Sequence, residues 1–397
     1  MIQPALPPAC YTQQYWFDLE REKLFNRYWL LAGLTQQLRA DNSFITRTLA
    51  GIPVLIQNCG GTLRAFRNAC PHRACPIQIE PCGNRKLLCP YHGWSFGHDG
   101  KLRGIPGEKF YGLSGADKAC MDLHPYALET VGNFVFVNLA EKPLPIAEQF
   151  PKDLLYLLTV VSTHFAPEVS CTTFTGNYNW KLNFENISED EISHIPVVHK
   201  YTLAPALGTR EDGSFAVPPE EGSLIFSPGS PLADIHFLEP KPTNPSNGGS
   251  VATRDISTIR RIPLHYASRW FSALLENSLD RGSFFACPVF PNVNFGSIHG
   301  EHFFLQQFVP LAPDRTEYHS WVFTARLKEG TSSIPHLLWG IHHAEKRVVD
   351  EDVVVFEQVQ KTLSSASTVG IFGDNEYCLA NFGRWYMQHL NEGECHE

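Results

Sequence analysis

The sequence predicts an α+β protein of two domains built largely on antiparallel strands. Three observations lead there. A chain of 397 residues is longer than one small core accommodates. Between residues 43 and 138 it breaks into short alternating or apolar runs separated by glycine turns, the mark of antiparallel strands. Towards its end, paired strand-like runs give way to a long charged helical stretch.

In chain order, residues 13–30 set Phe17, Glu20, Leu24 and Phe25 at helical spacing with charges between them, an amphipathic helix that packs on the main body. From about residue 43 the pattern changes. Residues 44–49, 52–58 and 63–68 read as strands, cut by Gly51 and by the Gly60-Gly61 turn. Asp99-Gly100 suits a hairpin turn, and residues 131–138 close the region with a further strand. A Pro-containing link, 141–145, follows. Residues 201–260 are rich in Pro, Gly and Ser and read as extended loops. Beyond them, 287–298 and 302–311 read as paired strands, with Phe284, Phe285, Phe295, Phe303 and Phe304 divided between core and pocket wall.

Hydrophobic residues make up 43% of the chain and aromatic ones 12%, enough for a sizeable interior. The net charge of −9 and the lack of a basic run argue against nucleic acid as a partner. The N-terminus lacks a basic segment followed by an apolar run, so no signal peptide is expected. No stretch reaches the roughly eighteen uninterrupted apolar residues of a membrane span. A soluble, cytoplasmic protein is therefore expected, and eleven irregularly spaced cysteines fit reduced thiols better than a disulfide framework.

Residues 70–92 carry the first chemistry. They read C-P-H-R-A-C-P, a linker, then C-P-Y-H-G-W. Cys70 and His72 form one clip with a single residue between them, and Cys89 and His92 a second with two. Structural zinc also takes two cysteines and two histidines, but it usually pairs like with like along the chain. Here each clip holds one of each. A mixed [2Fe–2S] centre needs that arrangement, with one thiolate per clip for one iron and one imidazole per clip for the other; the neutral imidazoles raise the potential. Zinc is the competing occupant. His98 and His124 read as ordinary surface or core histidines. Arg73, Arg85, Lys86, Lys101 and Arg103 form a basic collar that either docks an acidic redox partner or is a solvated face.

A second candidate site lies in residues 179–199, N-W-K-L-N-F-E-N-I-S-E-D-E-I-S-H-I-P-V-V-H. His194 and His199 are five apart, which separates them by about 140° on a regular helix. Pro196 removes a backbone donor between them and bends or ends the helix there, letting both rings converge on one ion. Mononuclear Fe(II) sites join two histidines to one carboxylate and leave the opposite positions open. Residues 348–363 offer Asp350, Glu351 and Asp352 for that role, or else a solvated acidic helix face.

Both clips resemble those of the Rieske domain in ring-hydroxylating and related Rieske non-haem iron oxygenases. The resemblance implies that Cys70 and Cys89 hold one iron and His72 and His92 the other. Respiratory-chain Rieske proteins carry an extra cysteine in each clip. Cys75 matches the first, but Tyr91 stands where the second would be, which favours the oxygenases and leaves Cys75 an ordinary small buried residue. Residues 179–199 resemble the family's catalytic box, which starts N-W-K and ends on two histidines five apart, implying His194 and His199 as iron ligands. Asp352, followed by Glu357 and Gln360, resembles the family's C-terminal helix, implying Asp352 as the third ligand. Glu191, with Asp190 beside it, holds the place of the acid that bridges a cluster histidine to an iron-bound histidine of the neighbouring subunit in a trimer. Asn186 holds the place of a near-iron asparagine, although it stands one residue further from His194 than in the aromatic-ring dioxygenases.

Taken together, the resemblance implies a Rieske domain over 40–145, a catalytic domain over 146–397 with a curved, helix-grip-like antiparallel sheet, and an N-terminal helical segment, 1–39, packed on the latter. It implies a [2Fe–2S] cluster and a mononuclear Fe(II), and a terminal oxygenase that uses O2 on a small organic substrate, most commonly an aromatic ring. Hydroxylation or demethylation of a quaternary ammonium or N-methyl compound is the alternative, which an aromatic box would favour. Electrons would come from a separate NAD(P)H-dependent flavin reductase, with or without a ferredoxin, since no dinucleotide fingerprint is present. A homotrimer, with or without a β subunit, is expected. An electron-transfer Rieske protein without oxygenase activity is the alternative of another class, and the boxes around His194 and Asp352 argue against it.

Overall fold

The computed structural model describes residues 3–150, 152–187, 191–206, 220–225, 236–238, 259–263, 270–276, 283–331, 335–366, 370–373 and 376–391. Contacts divide the chain into two units, Met1–Leu24 with Pro145–Glu397, and Phe25–Leu144. The N-terminal helix α1 (Gln14–Leu19) continues as a π-helical turn, Glu20–Phe25. Phe17, Glu20, Leu24 and Phe25 are buried, as their spacing predicts. The helix stops at Phe25 rather than residue 30, because Leu30–Leu34 (β1) pairs with another strand of the smaller unit. For the same reason that unit begins at Phe25 and not at residue 40.

In the smaller unit β2 (Ser43–Leu49), β3 (Ile52–Cys59), β4 (Thr62–Arg67) and β5 (Cys82–Asn84) are followed by a two-stranded hairpin of β6 (Ser95–Phe96) and β7 (Leu102–Gly104). Pro125–Val131 (β8) and Phe134–Asn138 (β9) complete a seven-stranded antiparallel sheet of order β1-β9-β8-β4-β3-β2-β5. Its core gathers Phe44, Leu55, Phe66, Trp94 and Leu123. The Asp99-Gly100 turn closes the β6–β7 hairpin. Gly100 has φ +79°, and a Cβ there would lie 2.5 Å from the Phe66 ring, so both backbone and packing demand glycine.

The larger unit is built on an eight-stranded antiparallel sheet. Its strands are β10 (Ser170–Gly176), β11 (Glu220–Ile225), β12 (His236–Leu238), β13 (Ile259–Pro263), β14 (Ser283–Val289), β15 (Val293–Ile298), β16 (His302–Ala312) and β17 (Arg315–Thr324). Their order is β10-β17-β16-β15-β14-β13-β11-β12. The expected pairing of 287–298 with 302–311 is present. Within 201–260, expected as loops, β11 and β12 extend the sheet edge by pairing, while most of the stretch lies outside the described residues. Strand alternation splits the phenylalanines: Phe303 stacks with Phe295 and Phe323 and packs at a tilt against Phe165 in the core, whereas Phe284 and Phe304 stack on each other on the opposite face. The Phe285 side chain lies outside the described residues. Helices α2 (Trp180–Asn186) and α3 (Glu191–Val198) follow β10, and the 29-residue α4 (Pro335–Leu363) packs on β10 and β17. Tyr377–Asn391 forms α5. Among the described residues no helix is long and apolar enough to cross a membrane.

Candidate functional site

Each cysteine-histidine clip is a turn closed on its own cysteine. Ala74 N–H donates to Cys70 O and Cys70 N–H to Cys75 O, both at 2.8 Å; Gly93 N–H donates to Cys89 O at 3.0 Å and Cys89 N–H to Trp94 O at 2.8 Å. Gly93, at φ +70°, makes the second turn possible. The turns bring the His72 and His92 rings to 4.7 Å between centroids, and Trp94 stacks flat on His72 at 4.8 Å. Both cysteines are buried, and burial pushes the Cys70 thiol up to about 11. Burial acts on Cys89 in the same sense, but the N–H groups of Tyr91 and His92 donate to its sulfur and, with the neighbouring thiols, bring it below the ordinary range. The Nδ1 atoms of His72 and His92 are buried with no hydrogen-bond partner. Two orphaned imidazole nitrogens beside two buried sulfurs fit a cluster that both clips would hold. Cys75 differs from expectation: it is half-buried and its thiol faces Cys89, because the turn at Ala74, with φ 55°, folds it back towards the first clip.

The basic collar is partly engaged within its own unit. Arg85 donates to Gln78 and to the Ile77 carbonyl, and Arg103 pairs with Asp99 at 2.9 Å. Arg73 lies over the Tyr91 ring.

In the larger unit the side chains of His194, His199 and Asp352 converge. His194 Nε2 lies 3.1 Å from His199 Nε2 and 3.0 Å from Asp352 Oδ1, and His199 Nε2 lies 3.2 Å from the same oxygen. Three donors at right angles about 2.1–2.2 Å from one centre would show such edges, so the set fits the face of an octahedral ion. Of the two outcomes expected at Pro196, a bend or an end, the helix does not end there: α3 runs through it to Val198, and His199 sits just beyond the last helical residue, its N–H still bonded to Ile195 O at 3.0 Å. Burial alone would raise the Asp352 carboxyl, but both imidazoles outweigh it and hold the group below the usual carboxylate range. Of its acidic neighbours, Asp350 faces outward and pairs with Lys346 at 2.5 Å. Glu351 accepts from His199 Nδ1 at 2.9 Å and from the Thr202 hydroxyl at 2.6 Å.

Glu357 and Gln360 fix the helix that carries Asp352. Glu357 accepts from Asn177 N and Nδ2, both at 3.1 Å, and Gln360 accepts from Asn179 N at 3.0 Å while donating to Tyr11 O at 3.0 Å. Asn179 caps α2. Trp180 and Lys181 then reach back to the N-terminal segment: Trp180 Nε1, Lys181 Nζ and the Tyr386 hydroxyl donate to Glu20 at 2.8, 2.5 and 2.6 Å. The sequence carried one unread sign of this network, a glutamate on the apolar face of the N-terminal helix. Glu185, next to Asn186, accepts from the Tyr11 hydroxyl at 2.5 Å, and burial pushes its carboxyl up to about 7.

The triad lines a cavity whose walls include Phe284, Phe304, Phe308, Tyr318 and Glu345. Asn186 lines it too, half-buried, as does Asn183 one turn earlier. Asn183 is the deeper of the two at 3% exposed, and its amide faces the buried Tyr178 phenol; nothing in its sequence context marked it. Asp190 and the Glu191 side chain lie outside the described residues; the Glu191 backbone opens α3.

Two metal-ligand sets on separate antiparallel units define a Rieske-type iron protein with a second, mononuclear metal site. The family model described as Rieske [2Fe-2S] domain matches residues 28–113, and that described as ring hydroxylating alpha subunit (catalytic domain) matches residues 166–392, so the chain belongs to the ring-hydroxylating alpha-subunit family. It is 33% identical over 189 residues to the glycine betaine monooxygenase oxygenase subunit of Pseudomonas aeruginosa, covering 47% of this chain and 43% of that one. It is 31% identical over 206 residues to the chloroplastic choline monooxygenase of Beta vulgaris, covering 50% and 45%. The matched stretch thus spans less than half the length of either relative. In fold it resembles a quaternary ammonium Rieske monooxygenase in complex with L-carnitine, with TM-score 0.72, 18% identity and coverage of 97% of this chain and 95% of that one. It also resembles a naphthalene 1,2-dioxygenase from Rhodococcus sp. bound to indole, with TM-score 0.71, 19% identity and coverage of 98% and 95%.

Proposed function

We propose that this chain is the terminal oxygenase of a multicomponent system that hydroxylates or demethylates a small quaternary ammonium or N-methyl compound. The observation that carries this is the placement of His194, His199 and Asp352 in one wall of a cavity that Phe284, Phe304, Phe308 and Tyr318 also line. Cys70, Cys89, His72 and His92 would hold the cluster, and the triad a ferrous ion. Bound there, the iron centres supply electron transfer and O2 activation. The protein does the rest. Glu351 orients the His199 imidazole through its Nδ1, and α4 fixes the Asp352 carboxylate beside both Nε2 atoms. Phe304, Phe308 and Tyr318 exclude water and present ring faces to a methylated cation.

Electrons would come from a separate NAD(P)H-dependent flavin reductase, directly or through a ferredoxin. We assign the path between centres to Glu191, three residues before His194, as a carboxylate bridge between neighbouring subunits of a homotrimer in the cytoplasm. A β subunit is compatible with this scheme. Ring hydroxylation is the second reading, favoured by the fold likeness to naphthalene dioxygenase and by the apolar walls.

Turnover of a panel of choline, betaine and naphthalene-type compounds with a surrogate reductase, read by product mass, tests the proposal. Product gaining oxygen or losing a methyl group as formaldehyde from an ammonium compound supports it. Iron-dependent oxygenation of the aromatic compounds alone would replace it with the second reading, and no iron-dependent product with any of them would refute the oxygenase assignment.

A further inference from the structure

We infer that Glu345 is the group that reads positive charge on the substrate; the inference rests on the quaternary ammonium reading above and adds the residue responsible. Glu345 lies on α4 seven residues before Asp352. Seven residues are two helical turns, so both carboxylates share a face about 10 Å apart along the axis. The cavity that holds the triad and a neighbouring one share Leu203, Ile298, Glu345 and Val348 in their walls. Glu345 therefore stands where a ligand passing from one to the other would meet it.

Its charge is poorly compensated. The side chain is 14% exposed, and its one ion-pair contact among the described residues is His302 Nε2 at 3.5 Å, too long for a strong hydrogen bond. Lys346, its neighbour in sequence, turns instead to Asp350. His342, one turn earlier, shares its Nδ1 with Ser170 at 2.9 Å, and burial holds its imidazole below the ordinary range. Arg347 lines the second cavity without pairing to Glu345. Among the described residues no lysine or arginine pairs with this nearly buried carboxylate, and a cationic ligand would offset the cost of desolvating it.

The surrounding chemistry agrees with such a ligand. Phe308 and Tyr318 lie 5.3 Å apart and Phe284 and Phe304 5.9 Å apart, all in the same cavity. Ring faces attract a cation without asking it to donate a hydrogen bond, and a quaternary ammonium has none to give. With the head group between Glu345 and Asp352, a methyl group can point to the triad. A neutral aromatic substrate gains nothing from the carboxylate.

Calorimetric titration of the iron-loaded full chain with choline and with its uncharged isostere, 3,3-dimethylbutan-1-ol, tests this. The wild-type protein is expected to prefer choline on the order of ten-fold, and Glu345→Gln to bring the two within about two-fold by weakening choline alone. If Glu345→Gln keeps the preference, Glu345 is not the reader, although a cationic substrate stands. If it weakens both ligands alike, the residue serves packing and the inference fails. If the wild-type protein shows no preference, the cationic substrate class falls as well. Should Glu345→Gln not fold, Glu345→Asp, which withdraws the charge by one methylene, must weaken choline several-fold and spare the alcohol; equal weakening overturns the assignment.

Discussion

Nδ1 of His199 lies 2.9 Å from Oε2 of Glu351. An ionised carboxylate only accepts, so the proton sits on Nδ1 and the Nε2 lone pair faces His194 and Asp352. The Thr202 hydroxyl holds the same carboxylate oxygen at 2.6 Å, which fixes the grip in place. Glu351→Gln is expected to lower Fe(II) affinity of the larger unit by about 10- to 100-fold, as loss of an orienting partner does. Iron titration followed by the heat of binding checks it, with the cluster's visible spectrum as an internal control.

Asp352→Ala should abolish mononuclear iron binding while the cluster remains. Asp350→Ala should change neither, because Asp350 is exposed and pairs with Lys346. Iron content per chain, measured beside the cluster absorbance, separates the two variants; equal loss in both would refute Asp352 as the carboxylate ligand.

His92→Ala removes one of the two buried orphan imidazole nitrogens of the clips. The expected result is loss of the Rieske electron paramagnetic resonance signal, with Fe(II) binding by the larger unit retained, since His194, His199 and Asp352 belong to the other unit.

Lys181 and Glu20 are both essentially inaccessible to solvent. Lys181→Met leaves the Glu20 carboxylate buried without its cation, at a cost of about 3–5 kcal/mol. Urea denaturation measures it, and combining Lys181→Met with Glu20→Gln should recover much of the loss.

The Glu185 carboxyl is pushed by burial from 4.5 to about 7, against the pull of Tyr11 and Lys181. A raised carboxyl pKa means that the folded protein binds the proton more tightly than the unfolded chain. Its contribution to stability is therefore fully present below pH 4.5 and is lost as pH rises through about 7. Glu185→Gln, which cannot ionise, should flatten the fall in denaturation midpoint across that window; an unchanged slope would show that Glu185 does not titrate there.

Much of this protein was legible from residue spacing. Cys70, His72, Cys89 and His92 announce themselves because each clip is local: a turn of a few residues sets cysteine and histidine side by side whatever the remainder of the chain does. The strands were equally plain where period-two alternation survives, as in β4, where Thr62 and Arg64 are exposed and Leu63 and Ala65 are covered. The N-terminal helix was visible too, but Leu30–Leu34 was not recognised as a strand, since a run buried throughout carries no alternation.

By itself the sequence determined which residue types can bind metal and in what order they come. Only the tertiary structure decided which acid of Asp350, Glu351 and Asp352 turns inward and which grips His199 from behind, because that depends on how α4 is rotated against β10 and β17. Likewise, the buried partnership of Glu20 with Lys181 and the position of Glu345 between two cavities join residues far apart in the chain. Such relations arise from packing across the sheet and helices, and no local pattern of residues encodes them.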